Sequence, residues 1–257
     1  MKNFKIIIEY DGTNFNGWQI QAAGRTVQGE IEKAIFKMTR QQVRVNASGR
    51  TDAGVHALGQ VAAFRCDTTL TPETFFSGLN SLLPYDIVIL SCDQASDDFH
   101  PRYDATAKTY HYNILNRTLP TAIGRAYCWH IKKKLDIIAM KKAIHLITGT
   151  HDFKAFENTG SPRSHTVRTI YKAGVDAAMT ETEHCRQTPS NDDIITIHIT
   201  ANGFLRYMVR NIVGTLVDVG RSKLTPADFA AILAEKDRGL ASATAPPQGL
   251  FLISVQY

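Results

Sequence analysis

The chain has 257 residues, a length that suits one large domain or two small ones. Hydrophobic residues make up 44% of it, which predicts a packed core and excludes an intrinsically disordered protein. The net charge of +5, from 29 Lys and Arg against 24 Asp and Glu, permits a polyanionic partner without requiring one.

The cysteines and the N-terminus indicate the compartment. Four cysteines lie at least 26 positions apart, which gives no CxxC pair and no zinc framework, so we expect free thiols in a reducing cytoplasm. The N-terminal sequence MKNFKIIIEYDG has acidic residues and lacks a small-residue cleavage site, so it predicts a strand rather than a signal peptide. No window reaches 18 apolar residues, and we expect no membrane-spanning segment.

Hydrophobic periodicity and capping residues predict the elements of the first hundred residues. Strands are predicted at residues 4–10, 43–47, 60–66 and 86–92. Thr26 is a predicted N-cap for a helix through Met38, and Thr71-Pro72 predicts the start of a second helix. The resulting order, β-α-β-β-α-β, is a split βαβ arrangement.

The second part of the chain repeats this style loosely. Strands are predicted at residues 108–115, 126–131, 167–175, 194–200 and 250–257. Helices are predicted at residues 135–148, 204–219 and 225–236. A polar stretch at 179–193 predicts a mobile hairpin tip.

We place a boundary near residue 105, which gives an N-terminal subdomain of residues 1–105 and a C-terminal subdomain of residues 106–257. The predicted fold class is α+β, with two similar split-βαβ-like subdomains around a largely antiparallel sheet and a basic cleft at the centre.

The most informative segment is the loop SGRTDAGVHALGQ, residues 48–60, between two predicted strands. It combines Arg50, Asp52 and His56 with three glycines that allow close approach to a ligand. Charged groups crowded into such a loop indicate a functional site. A solvated loop with a local Asp-to-backbone turn bond explains the composition equally simply.

The sequence of this loop resembles the catalytic motif of the tRNA pseudouridine synthase A family. Other stretches are similar to that family in the same order along nearly the whole chain. They are EYDGTNFNGWQIQ with RTVQG, FHPRYDATAKTYHY, FLRYMVRNIVGTL and LASATAPPQGLFLISVQY. The resemblance implies an isomerase that makes pseudouridine in the anticodon stem and loop of tRNA, around positions 38 to 40, and that forms a homodimer.

The resemblance also implies roles for individual residues. Asp52 matches the catalytic aspartate, and Tyr110 matches the tyrosine that contacts the target base. Arg210 matches a basic residue expected to pair with the aspartate. Arg50, two positions before Asp52, is expected to contact an RNA phosphate. Arg206 is a further predicted phosphate contact because of its place beside a predicted site segment.

The chemistry of the residues agrees with this resemblance. Pseudouridine has the same atoms as uridine, so the reaction needs no redox cofactor or group donor, and the sequence offers no motif for these or for a metal. One carboxylate near C1′ can act as a nucleophile on the sugar, or as a base at C2′ that leads to a glycal. The sequence leaves both routes open.

The helix predicted from residue 204 is apolar around most of its circumference. Arg206 and Arg210, four positions apart, are expected to share one face of it. Two solvated arginines on a surface helix are the alternative, but the apolar circumference indicates a largely buried helix, in which Arg210 should need a carboxylate or phosphate partner. Tyr110 and Tyr112 face the same way on a predicted strand, where aromatic residues usually belong to the core.

Two other functions are compatible with parts of the sequence. A non-catalytic RNA-binding module can be built from split βαβ units, but the chain lacks an RNP-type strand. A metal-dependent nuclease would need clustered carboxylates, whereas Asp52 stands alone in its loop. We expect tRNA binding to be mostly electrostatic, with phosphate contacts from Arg50, Arg163, Arg168 and Arg206.

Overall fold

The computed structural model describes residues 1–158, 165–177 and 193–257, which form five α-helices and ten β-strands. The predicted α+β class is confirmed. The chain divides into one compact unit of Met1–Lys108 with Phe251–Tyr257 and a second of Thr109–Leu250. The C-terminal strand therefore belongs to the first unit, although the sequence division puts it in the second.

The first unit follows the predicted β-α-β-β-α-β order. Its elements are β1 (Lys2–Tyr10), α1 (Val27–Thr39), β2 (Asn46–Ala47), β3 (His56–Cys66), α2 (Pro72–Leu82) and β4 (Ile87–Ala95). The strands lie in the order β4-β1-β3, followed by the closing strand β10 (Leu250–Gln256). β1 is antiparallel to both neighbours, whereas β10 runs parallel to β3.

The core of the first unit lies where its helices cover one face of the sheet. Phe4 of β1 and Phe64 of β3 pack against Phe75 of α2, with ring centroids 4.6 and 5.2 Å from the Phe75 ring. The two predicted caps are confirmed, because Thr26 and Thr71 accept from the backbone N–H groups of Gly29 and Thr74.

The second unit contains the remaining elements. They are β5 (Ala107–Leu115), β6 (Trp129–His130), α3 (Ile137–His145), β7 (Gly149–Asp152), β8 (Val167–Ala177), β9 (Ile194–Ala201), α4 (Met208–Gly220) and α5 (Pro226–Glu235). Its strands lie in the order β5-β9-β8-β7, with β6 on β5. A capping box at Thr225 and Asp228 begins α5 where the sequence predicted a helix.

Three predicted elements are shorter than expected, because their backbone groups form hydrogen bonds with side chains or belong to other turns. The strand predicted at 43–47 shrinks to β2, since the N–H of Val45 donates to the Glu32 carboxylate at 2.9 Å. The strand at 126–131 shrinks to β6 after a 3₁₀ turn. The helix at 135–148 begins later, because Asp136 caps it by accepting from Ala139 N–H.

The helix predicted from residue 204 begins four residues later, at Met208. Tyr207 takes a left-handed conformation with φ of 64°. The carbonyl of Arg206 accepts from the N–H of Asn158 at 3.0 Å, so it is engaged outside the helix. Arg206 therefore precedes α4, and the prediction that Arg206 and Arg210 share one helical face is wrong.

None of the described helices is long and apolar enough to cross a bilayer. Among the described cysteines, Cys66, Cys92 and Cys128 are free thiols. Cys185, Arg163 and nearly all of the predicted hairpin tip lie outside the described residues.

Candidate active site

Asp52 lies half-buried in the loop between β2 and β3. A tight turn holds its backbone, because the N–H of Val55 donates to the Asp52 carbonyl at 3.2 Å. Gly54 forms this turn with a φ of +76°, a conformation that favours glycine. β3 begins directly after this turn, at His56.

The segment after β1 packs against this turn. Trp18 N–H donates to the Thr51 carbonyl at 3.1 Å, and Gly54 N–H donates to the Phe15 carbonyl at 3.3 Å. Gly17 has a φ of +82°, and a Cβ there would lie 2.6 Å from the Thr51 carbonyl oxygen. A side chain at position 17 would therefore displace the backbone that carries Asp52.

Arg25 secures the segment that packs against the turn. Its guanidinium makes two hydrogen bonds of 2.7 Å to the buried Asp86 carboxylate and lies 4.3 Å from the centroid of the Phe15 ring. This bidentate geometry is the strong form of an Arg–carboxylate pair. The RTVQG stretch thus supports the Asp52 turn indirectly, through Phe15.

A buried network of uncharged polar side chains lies beneath the loop. The Gln60 amide donates to the Gly49 carbonyl at 2.9 Å and to the Tyr10 oxygen at 3.5 Å, and its oxygen accepts from Ser48 at 2.8 Å. The hydroxyl groups of Tyr10 and Thr51 form a hydrogen bond of 2.8 Å. Burial raises the pKa of Tyr10 to about 12, so the phenol stays protonated.

His56 joins the loop to the end of β1. Its Nδ1 accepts from the Gly12 N–H at 3.0 Å, and the same nitrogen lies 3.1 Å from the Asp11 carboxylate. A nitrogen that accepts from Gly12 carries no proton, so the contact with Asp11 is not an ion pair in that tautomer. The ring is buried and stacks on Phe251 at 4.7 Å. His56 therefore has a structural role.

Tyr110 and Tyr112 differ in their surroundings within the second unit. Tyr112 is fully buried, and its hydroxyl donates to the Pro246 carbonyl at 2.8 Å, so it belongs to the core. Tyr110 is 8% exposed, and its ring meets Phe204 edge-on at 5.0 Å. The predicted contact of Tyr110 with a target base stays a prediction.

Arg210 lies half-buried in the first turn of α4. Its Nε donates to the Ala245 carbonyl at 2.8 Å, while Ala245 N–H donates to the Arg210 carbonyl at 3.1 Å. The guanidinium carbons of Arg210 and Arg206 lie 4.7 and 5.1 Å from the centroid of the Tyr207 ring. The two arginines thus meet at an aromatic ring, although they do not share a helical face.

A second polar network holds this end of α4. Asn211 is fully buried, and its amide donates to the Phe156 carbonyl at 2.8 Å. Its oxygen accepts from Thr244 at 2.6 Å and from Arg238 at 3.2 Å. These bonds fix the segment that includes Ala245 against α4, and with it the position of the Arg210 guanidinium.

The other predicted contacts are the exposed Arg50 and Arg206 and the half-buried Arg168. Arg50 lies exposed in the Asp52 loop, and Arg206 lies exposed before α4. The guanidinium of Arg168 donates to the Val167 carbonyl at 2.6 Å. Among the described residues, no group of three or more His, Cys, Asp or Glu is placed to hold a metal ion.

Sequence reasoning missed the residues that support the loop, namely Tyr10, Ser48, Gln60 and Arg25. One signal was present for Gln60. It interrupts the apolar strand β3 and is fully buried, and a polar residue in such a strand needs a partner.

Comparison with known proteins agrees with these motifs. The model of the tRNA pseudouridine synthase family matches residues 6–104 and 143–257. Proteins named tRNA pseudouridine synthase A from Thermoanaerobacter sp. (strain X514) and Pseudothermotoga lettingae are 46% and 41% identical to this chain. One named tRNA pseudouridine synthase A 2 from Clostridium perfringens is 44% identical, and all three alignments cover 100% of both proteins. The chain therefore belongs to the tRNA pseudouridine synthase A family of isomerases.

Proposed function

We propose that this isomerase, which converts uridine to pseudouridine in tRNA, acts on the anticodon stem and loop around positions 38 to 40 and uses Asp52 as its catalytic carboxylate. The observation that supports Asp52 most strongly is its setting. A half-buried carboxylate lies in a turn that hydrogen bonds fix from two sides. A group held in this way loses little freedom when it meets the reacting atoms.

The reaction breaks the bond from N1 to C1′ and forms a bond from C5 to C1′. C5 loses a proton and N1 gains one, so the atoms balance without a co-reactant. Asp52 would either attack C1′ or remove the proton from C2′. A substrate with deuterium at C2′ separates these routes, because a primary isotope effect is expected only where that C–H bond breaks in a rate-limiting step.

Arg210 is proposed to orient Asp52 and keep it ionised, as an adjacent guanidinium does for a carboxylate. The side chain is half-buried, and its Nε is engaged by the Ala245 carbonyl. A planar guanidinium anchored through Nε presents its terminal nitrogens in the fork geometry that suits a carboxylate.

Tyr110 is proposed to contact the target base. Detached uracil must rotate before it rejoins C1′, and an aromatic ring can stack on it during that rotation. The edge-on packing of Phe204 against Tyr110 would hold the tyrosine ring in one orientation.

The remaining proposals concern partners and conditions. Arg50 and Arg206 are exposed cations, as phosphate contacts must be, and Arg168 joins them in this proposal. Affinity for tRNA should therefore fall steeply as salt rises.

We also propose a homodimer in the cytoplasm that needs no metal or cofactor. Loss of activity in EDTA, restored by a divalent ion with the tRNA still folded, would contradict the last point.

The decisive experiment maps pseudouridine chemically in unmodified tRNA after incubation with the protein. Transcripts with a single uridine at each of the three anticodon-arm positions test the regional specificity. Pseudouridine elsewhere in the tRNA would refute the proposed region. Binding without product would favour an RNA-binding module without catalysis.

A further inference from the structure

Lys108, at the end of the first unit, has surroundings that are unusual for a lysine. Its ammonium donates to the carbonyl of Ser48, at the start of the Asp52 loop. Burial lowers the pKa of this group to about 8, with a further contribution from the positive charge of Arg102. Within the part of the chain that the structure describes, no carboxylate lies within 4 Å of Lys108, so the cation has no counter-ion there.

Arg102 provides a second positive charge nearby. It is exposed, lies 5.7 Å from the centroid of the exposed Tyr103 ring, and forms no ion pair with the described carboxylates. The positive charge of Arg102 adds to the effect of burial in lowering the pKa of the Lys108 ammonium, so the two cations of this unit repel each other. Such an arrangement costs free energy in the unbound protein, and an anion that binds both groups would remove that cost.

Gly49 leaves room in front of the ammonium. A Cβ at this position would lie 3.3 Å from the Lys108 nitrogen. The absence of a side chain keeps that side of the ammonium open, while the Ser48 carbonyl occupies one of its three donor positions.

We propose that Lys108 and Arg102 form a binding subsite for a phosphodiester of the RNA substrate beside the Asp52 loop. This inference rests on the proposed function for its ligand. It adds a phosphate contact to those proposed for Arg50, Arg168 and Arg206. A bound phosphate would accept from the ammonium in a charge-assisted hydrogen bond. Because the same ammonium holds Ser48, phosphate binding would also be coupled to the position of the loop.

The subsite predicts a pH dependence whose sign follows from the charge. An anion binds the protonated lysine, so tRNA affinity should be constant below pH 8 and fall as pH rises above it. Burial is the larger cause of the lowered pKa of Lys108, and Arg102 is the neighbouring charge that lowers it further. Other charged groups on the two segments are Arg50 and Asp52 on the loop and Asp104 beside Arg102.

The test uses the full-length protein in an Asp52→Asn background, in which tRNA is bound without turnover. Affinity for an unmodified tRNA transcript is measured against salt at pH 7 and at pH 9. Lys108→Met should weaken binding roughly tenfold at pH 7 and reduce the slope of log affinity against log salt by about 0.7–0.9, the value for one phosphate contact. Lys108→Arg should restore the slope and abolish the loss of affinity at pH 9, because arginine stays charged.

Lys33→Met is the matched control, since Lys33 is an exposed lysine of α1 paired with Glu30. It should leave the slope unchanged. Two results together would overturn the subsite. The salt slope of Lys108→Met would equal that of the parent Asp52→Asn protein, and Lys108→Met in a protein that retains Asp52 would have reduced turnover. Lys108 would then support the loop without binding phosphate. If the unsubstituted protein neither bound nor modified tRNA, the proposed function itself would fail, and that outcome is seen before any variant is made.

Discussion

The Asp52 loop and the start of α4 are both irregular segments ordered by buried polar side chains, but their supports differ. Gln60, Tyr10 and Ser48 hold the loop with neutral groups, and Gly54, at a positive φ, sets its backbone. The start of α4 is held by Asn211 and by a helix whose residues are mostly buried. We infer that the loop can be damaged with a small loss of stability, whereas damage at α4 destabilises the second unit.

Asp52→Asn should have the largest effect on activity. The amide has nearly the shape of the carboxylate but is a poor base and nucleophile, so turnover should fall by roughly 10³-fold or more. Single-turnover conversion of unmodified tRNA measures this loss. Melting temperature and tRNA affinity should be nearly unchanged, and Asp67→Asn, at an exposed carboxylate, provides the control. Retained turnover would remove Asp52 from the mechanism.

Arg210→Met should be next, with turnover at neutral pH reduced by roughly 10²-fold. If Arg210 pairs with Asp52, its loss raises the pKa of the carboxylate, because the charge that favoured ionisation is gone. More of the carboxyl is then protonated at neutral pH, and activity should recover in part as pH rises. A pH–rate profile with saturating tRNA measures this recovery.

A double-mutant cycle separates this pairing from other roles of Arg210. The double variant should be little worse than Asp52→Asn alone, because residues that act as one unit are not additive. Independent effects, or a defect confined to tRNA affinity, would exclude the pairing. Arg206→Met is the control, because Arg206 contacts the same Tyr207 ring as Arg210. Its effect should appear in tRNA affinity.

Asn211→Leu should cause the largest loss of stability. The leucine leaves the Phe156 carbonyl and the side chains of Arg238 and Thr244 without their partner, at a cost of about 2–4 kcal/mol. Urea unfolding measures the change. Thr244→Val removes one of these bonds and should cost about 1 kcal/mol. A stable Asn211→Leu protein would show that apolar packing alone holds α4.

Tyr10→Phe should have a smaller effect on stability than Asn211→Leu, about 1 kcal/mol, because one hydroxyl is lost from beneath the loop. Thr51 then lacks its buried partner next to Asp52, so turnover should fall several-fold while tRNA affinity changes little. Tyr171→Phe, at an exposed tyrosine of β8, should change neither. Equal effects in the two variants would contradict the support role of Tyr10.

The local sequence by itself determined many elements of this protein. Thr26, Thr71 and Thr225 begin helices where the sequence predicted, because capping depends on groups three residues away. The α+β class and the family also followed from the sequence, since periodicity and the ordered motifs are local properties. The loop that carries Asp52 was found in the same way.

The tertiary structure decided what depends on groups distant in the chain. The N–H of Asn158 engages the Arg206 carbonyl, which delays the start of α4 and separates Arg206 from the helical face of Arg210. The carboxylate of Glu32 takes the N–H of Val45 and shortens β2. Each bond joins residues whose proximity only the folded chain creates, and backbone groups take the partner that folding brings to them.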